Sequence, residues 1–294
     1  MWQEKADADF VEKNGDIMND LYQNMLSSYN LENAAFRRNA IFEVNQQIAL
    51  AGLYRGGFFQ HAAFYGGTCL RIFHGMNRFS EDMDFSLLEK SDGFSFEQYF
   101  QSIIDEFAYV GRRVEITKKE KRVFGRVESA FLKDNTEVYD LSFQTDKSIK
   151  IKIEVDTDPP GKFKTEELLL MQPYSFMTRC FTLPDLFAGK MHALLFRSWK
   201  NRVKGRDWYD FEWYVRNGVS LDFAHLQERA LQFNGVELDK EMFESLLNER
   251  LSKTDIRLIK QDVEPFLKDV GETAIWSNDY FKLLAERIKY LPTE

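Results

Sequence analysis

Two consecutive glycines, set between an apolar stretch and a segment with paired acids, constrain this chain more than any other feature. Phe59 to Tyr65 is apolar, Gly66-Gly67-Thr68 follows, and after a short gap comes Arg78-Phe79-Ser80-Glu81-Asp82-Met83-Asp84-Phe85. Paired glycines let backbone N–H groups approach a polyphosphate closely. Carboxylates at i and i+2 on a strand point to one side, where they can share a divalent cation. Met83 and Phe85 then face the other way and are expected in the core. The order predicts a strand, a glycine turn, a short helix through Leu70-Arg71-Ile72-Phe73, and a second strand. A lone Gly-Gly or Asp-x-Asp is weak evidence, because both are common in turns and on solvated edges. The whole string is specific, and it reads as a metal-dependent nucleotidyl-transfer site. Asp82 and Asp84 are expected to hold the metal, with the Ser80 and Thr68 hydroxyls donating to phosphate oxygens.

The rest of the chain reads as helices, a mixed sheet, and helices again. Helical spacing of Phe10, Ile17, Leu21 and Met25 predicts helices near Asp9 to Ser28 and Asn33 to Ala51. Strands are expected at Phe59 to Tyr65, Met83 to Leu87, Arg113 to Lys118, Arg126 to Lys133, Val138 to Phe143 and Lys150 to Val155, with a helix from Ser95 to Tyr109. Asp158-Pro159-Pro160-Gly161-Lys162 is expected to end the sheet, because consecutive prolines cannot continue a ladder. Asp185 is expected to cap a helix running to about Arg202 that carries Lys190. Asp207 reads either as the N-cap of a helix from Trp208 to Arg216 or as a site residue, and Asp210 reads as a partner for Arg206 or another cation. The expected fold class is α/β (α+β). Its divisions are an N-terminal helical layer (1–55), a catalytic core (56–160) and a helical C-terminal region (161–294).

At these residues the chain resembles the DNA polymerase beta-like nucleotidyltransferase superfamily. The fuller string Gly66-Gly67-Thr68 with Arg78-x-Ser80-x-Asp82-x-Asp84-Phe85 is similar to the AbiEii/AbiGii nucleotidyltransferase toxins of type IV toxin–antitoxin and phage abortive-infection systems. Lys190-Met191-His192-Ala193-Leu194 and Arg206-Asp207-Trp208-Tyr209-Asp210 resemble that family's downstream lysine and Arg-Asp-x-Tyr-Asp signature, and the likeness spans roughly Phe59 to Val215. The resemblance implies a polymerase beta-like mixed sheet flanked by helices. It also implies a third metal-binding acid, for which Glu154 in Lys150-Ile151-Lys152-Ile153-Glu154-Val155-Asp156 is the first candidate and Asp156 the substitute. Lys190 would reach the triphosphate together with Gly66, Gly67, Thr68 and Ser80, and Asp207 would position or deprotonate the acceptor hydroxyl. Mg²⁺ or Mn²⁺ is the implied cofactor and an NTP (ATP, GTP or CTP) the substrate. The implied acceptor is RNA, with the 3′ end of tRNA favoured, and the implied protein partner is a cognate antitoxin.

Composition limits the alternatives. With 44% hydrophobic residues in 294, including 27 Phe, the chain can build a sizeable core. A net charge of −8 excludes a uniformly basic surface, so RNA contact would need local patches, of which Lys118 to Arg122 and Arg197 to Arg206 are the candidates. Cys69 and Cys180 are expected to be free buried thiols, and His61, His74, His192 and His225 to be structural. No long apolar run and no signal-like start are present, so a cytoplasmic location with no membrane role is expected. Transfer to a protein or small-molecule hydroxyl, and a non-catalytic interaction module, stay open as other functions. The segment after Leu221 shows helical spacing without a further catalytic signature.

Overall fold

The structure, a computed structural model, describes residues 21–119, 136–144, 148–197 and 203–292. The expected strand at Arg126 to Lys133 and most of the first basic patch lie outside the described residues, as do residues 198–202 of the second. Helical residues 21–27 (α1) and Ala34–Arg55 (α2) form the N-terminal layer. Asn33 caps α2 by accepting the Phe36 N–H at 2.7 Å, which satisfies one of the orphan donors of the first turn.

Strand β1 is shorter than its apolar run. Phe58–Gln60 forms a 3₁₀ turn and only Ala62–Tyr65 is extended. The polar Gln60 and His61 are exposed at the end of that turn, whereas β1 itself is apolar because it is central, with Ala62, Ala63 and Phe64 all fully buried. Gly66–His74 follows at once as α3, and β2 (Met83–Leu87) returns antiparallel to β1 with Phe64 opposite Phe85 and Tyr65 opposite Asp84. Helix α4 (Phe100–Tyr109) packs on α2, and β3 (Val114–Lys118), β4 (Thr136–Phe143) and β5 (Lys150–Asp156) extend the sheet. β5 lies parallel to β2, pairing Asp84 with Glu154 and Ser86 with Asp156.

The sheet does not end at the double proline. Two strands follow it, β6 (Thr165–Leu170) and β7 (Phe176–Phe181), paired antiparallel. β7 lies parallel to β1, with Phe64 opposite Cys180. The order is therefore β3-β4-β5-β2-β1-β7-β6. The prolines stop β5, but the chain crosses over and re-enters the sheet on the far side of β1.

The remaining described chain is helical apart from a short parallel pair, β8 (Ser220–Leu221) with β9 (Lys289–Tyr290). Helix α5 (Leu183–Phe196) packs on α6 (Gly205–Arg216) and α7 (Phe223–Asn234). α8 (Lys240–Lys253), α9 (Ile256–Val263) and α10 (Asn278–Ala285) complete this layer. α5 begins after Thr182, so Asp185 sits in its first turn and not at its cap, and the helix ends at Phe196, short of Arg202. α6 begins at Gly205, a position that only glycine fits, since a Cβ there would meet the Ile259 carbonyl oxygen of α9 at 2.1 Å. Among the described residues no helix is long and apolar enough to cross a membrane.

Candidate active site

The turn from β1 into α3 brings the glycines and the acids together. Gly66 has φ +80°, a left-handed conformation in which a side chain is strained. It also lies under the Asp84 carboxylate, where an added Cβ would come within 2.3 Å of Oδ2. Gly67 is equally crowded: a Cβ there would meet Arg78 Nη2 at 2.7 Å and Ser80 Oγ at 3.0 Å. The two glycines thus let Asp84, Ser80 and Arg78 gather over the first turn of α3, where backbone N–H groups have no intrahelical partner.

Register supplies the second acid. Glu154 stands opposite Asp84 on the adjacent parallel strand. Asp82 precedes β2, one residue outside the strand, and its carbonyl accepts the Thr68 hydroxyl. Thr68 is fully buried and its hydroxyl is committed there, so it anchors Asp82 to α3 and does not offer its hydroxyl to a phosphate. Gln46 of α2, which carries no motif signal, donates to the Ser80 and Glu81 carbonyls at 3.0 Å each and holds the same loop. Met83 and Phe85 point into the core as expected, both fully buried.

The acids form a negative face with incomplete compensation. Burial, then the charges of Glu154 and Asp82, push the Asp84 carboxyl up to about 7. Among the described residues no three His, Cys, Asp or Glu side chains are already drawn together as a cation cage. Lys152 pairs with Glu154 instead. The donors are nonetheless all carboxylate oxygens, the hard ligands that Mg²⁺ and Mn²⁺ prefer. Asp82, Asp84 and Glu154 therefore fit a divalent cation. Asp156 is buried, stands opposite Ser86 and accepts the Asp158 N–H at 3.2 Å, so Glu154 is the acid beside Asp84.

A second cluster adjoins this face through Arg78. Arg78 is nearly fully buried and grips Asp210 in a fork, Nε to Oδ1 at 2.5 Å and Nη2 to Oδ2 at 2.6 Å. Asp210 also holds Lys190 Nζ at 2.7 Å. Lys190 in turn reaches Asp207 Oδ1 at 3.0 Å, and Arg197 Nη1 reaches Asp207 Oδ2 at 2.9 Å. Burial opposes ionisation of Asp207, yet Arg197, Lys190 and Lys204 outweigh it and hold its carboxyl well below the usual carboxylate range. The N-cap of α6 is Lys204, so Asp207 lies inside the first turn and does not cap the helix. Asp210 pairs with Arg78 and Lys190, whereas Arg206 approaches Glu81 at 3.8 Å and stacks over Phe266.

The remaining assignments are structural. Cys69 and Cys180 are free and buried. His192 bonds Asn234 at 2.7 Å, and His225 contacts the Gly161 carbonyl at 3.0 Å. In the described part of the first basic patch, Lys118 pairs with Glu97 and Glu137, and Lys119 with Asp140.

Comparison with known proteins adds an independent line. The profile of the family described as "Nucleotidyl transferase AbiEii toxin, Type IV TA system" matches residues 48–285. No curated protein matches the chain significantly in sequence. Among solved structures the fold is similar to MenT4, a nucleotidyltransferase toxin from Mycobacterium tuberculosis H37Rv, at 14% identity and a TM-score of 0.58, covering 88% of this chain and 86% of that one. It is also similar to JHP933 from Helicobacter pylori, at 17% identity and a TM-score of 0.50, covering 84% and 90%.

Proposed function

Because the chain belongs to the AbiEii nucleotidyltransferase toxin family of type IV toxin–antitoxin systems, we propose that it transfers an NMP from an NTP to the 3′ end of tRNA and thereby stops growth. The observation that carries this reading is the Asp84–Glu154 register beside Gly66 at the start of α3. Asp82, Asp84 and Glu154 would hold a divalent cation, which would supply positive charge to the phosphate oxygens. The rest falls to the chain. The first N–H groups of α3 and the Ser80 hydroxyl bind phosphate oxygens. Lys190, positioned between Asp207 and Asp210, offers a point charge to the tail. The acceptor oxygen bonds to the α-phosphorus as the bridging bond to pyrophosphate breaks, and the hydroxyl proton passes to solvent water. Asp207 is held so strongly ionised that it is a poor proton acceptor, which favours a positioning role over that of general base.

Labelled NTPs, bulk tRNA and Mg²⁺ test the reading: label is expected in RNA, with pyrophosphate released. No transfer to RNA from any NTP would remove the tRNA assignment, and label in protein or small solute would select another acceptor. Toxicity retained by an Asp82→Ala, Asp84→Ala double variant would revive the interaction module. A cognate antitoxin is the expected protein partner, and the cytoplasm the expected location.

A further inference from the structure

Around the site, cations are matched to acids with few exceptions. Arg78 pairs with Asp210, Lys190 with Asp207 and Asp210, Arg197 with Asp207, and Lys152 with Glu154. Arg229 of α7 differs. Among the described residues it has no hydrogen bond and no ion pair, and its Nε is buried without a partner. The Phe233 ring lies 5.2 Å from the guanidinium carbon, and Tyr65 and Asp156 act on the charge through space.

Placement gives this arginine a role. His225, Arg229 and Phe233 are spaced by four along α7 and so share one face. His225 reaches the Gly161 carbonyl and Phe233 packs on His192 of α5, so this face looks inward. Arg229 sits between them against Gly189, the residue before Lys190, where a Cβ would lie 3.9 Å from the guanidinium carbon. Its field acts on Tyr65, the residue before Gly66, which also feels Asp84, Asp156 and Glu154. The residue retains some solvent exposure, so a ligand can reach it.

We propose that Arg229 binds the β- and γ-phosphates of the nucleoside triphosphate, opposite Lys190, and retains them as pyrophosphate after transfer. Tyr65 and Asp156 act on this guanidinium only through space, with no hydrogen bond or ion pair to it, so its desolvation is only partly offset in the free protein. A polyphosphate supplies the missing acceptors in the planar fork geometry that arginine favours. Lys190 differs, since its two carboxylates must share it with any incoming anion.

This inference rests on the nucleotidyl-transfer reading, and binding separates the two. Isothermal titration of the full chain with MgATP, MgGTP, MgCTP and MgUTP, and separately with inorganic pyrophosphate, is compared for wild type, Arg229→Gln and Arg229→Lys. Arg229→Gln is expected to lose at least tenfold in affinity for pyrophosphate and for the NTP that binds, Arg229→Lys to recover part of it, and KM for the RNA acceptor to stay unchanged. The melting temperature of Arg229→Gln is expected to equal or exceed that of wild type, whereas a purely structural arginine would lower it. Equal pyrophosphate affinity in wild type and Arg229→Gln overturns the proposal and leaves the transfer reading standing. Failure of the wild type to bind any NTP or pyrophosphate and to transfer label overturns both.

Discussion

The two halves of the site handle charge in opposite ways. On the sheet, burial and the charges of Glu154 and Asp82 outweigh the offset from Lys204 and Lys152, so the Asp84 carboxyl is pushed up to about 7. On the helices, Asp207 and Asp210 are more deeply buried, yet Arg78, Lys190 and Arg197 hold both ionised. A low dielectric penalises each group, and only in the second cluster do the counter-charges outweigh that penalty. On the proposed reading the first is arranged for a ligand that brings positive charge. The second balances its charges within the protein, and on the proposed reading that frame presents Lys190 to the phosphates.

Neutralisation should therefore have opposite consequences in the two halves. Asp84→Asn is expected to cut nucleotidyl transfer about 10³-fold, in keeping with the several kcal/mol of charge stabilisation a metal site contributes. It should leave the fold intact or raise its melting temperature, which thermal denaturation reads directly. Asp210→Ala strands Arg78 in the core and should destabilise by about 3–5 kcal/mol in denaturant unfolding, as removal of one member of a buried pair does. If Asp210→Ala unfolds no more easily than Asp84→Asn, the contrast between the halves is wrong. Gly66→Ala tests their meeting point. It forces a side chain into φ +80° and against Asp84, so a loss of about 1–3 kcal/mol is expected together with impaired transfer. The smallest effect concerns Asp185, an acid outside both clusters that burial raises to about 6 despite bonds from Thr182 and Lys164. Its folded value lies above the unfolded one, so its contribution to stability is complete below about pH 4 and lost as pH rises through 6. Asp185→Asn should flatten the stability profile across that window, and an unchanged slope would refute the assignment.

Much of the site was legible because close approach leaves a mark on residue type. Only glycine fits under Asp84 and against Arg78, and only alternation puts Met83 and Phe85 into the core, so the string from Gly66 to Phe85 announced itself. The hairpin of β6 and β7 did not. Pro159-Pro160 is a true local stop for β5, and local rules carry no information about a strand that re-enters the sheet beside β1. Thr68 and Asp207 show a second limit. Residue type reveals that a hydroxyl or carboxylate is available, whereas its commitment to Asp82 or to Lys190 and Arg197 depends on contacts across the fold. Arg229 left one faint signal, a cation within the same α7 segment whose Leu226, Ala230 and Phe233 follow helical apolar spacing.

Long separation along the chain has a biological consequence. Arg78 and Asp210 lie 132 positions apart, β1 gains its second neighbour only with β7, and α6 is seated by the backbone of α9. A nascent polypeptide emerging from the ribosome cannot complete the site until α9 has been translated. Products cut short before α9 would then lack an assembled site, so synthesis of the first motif and onset of any activity are separated in time.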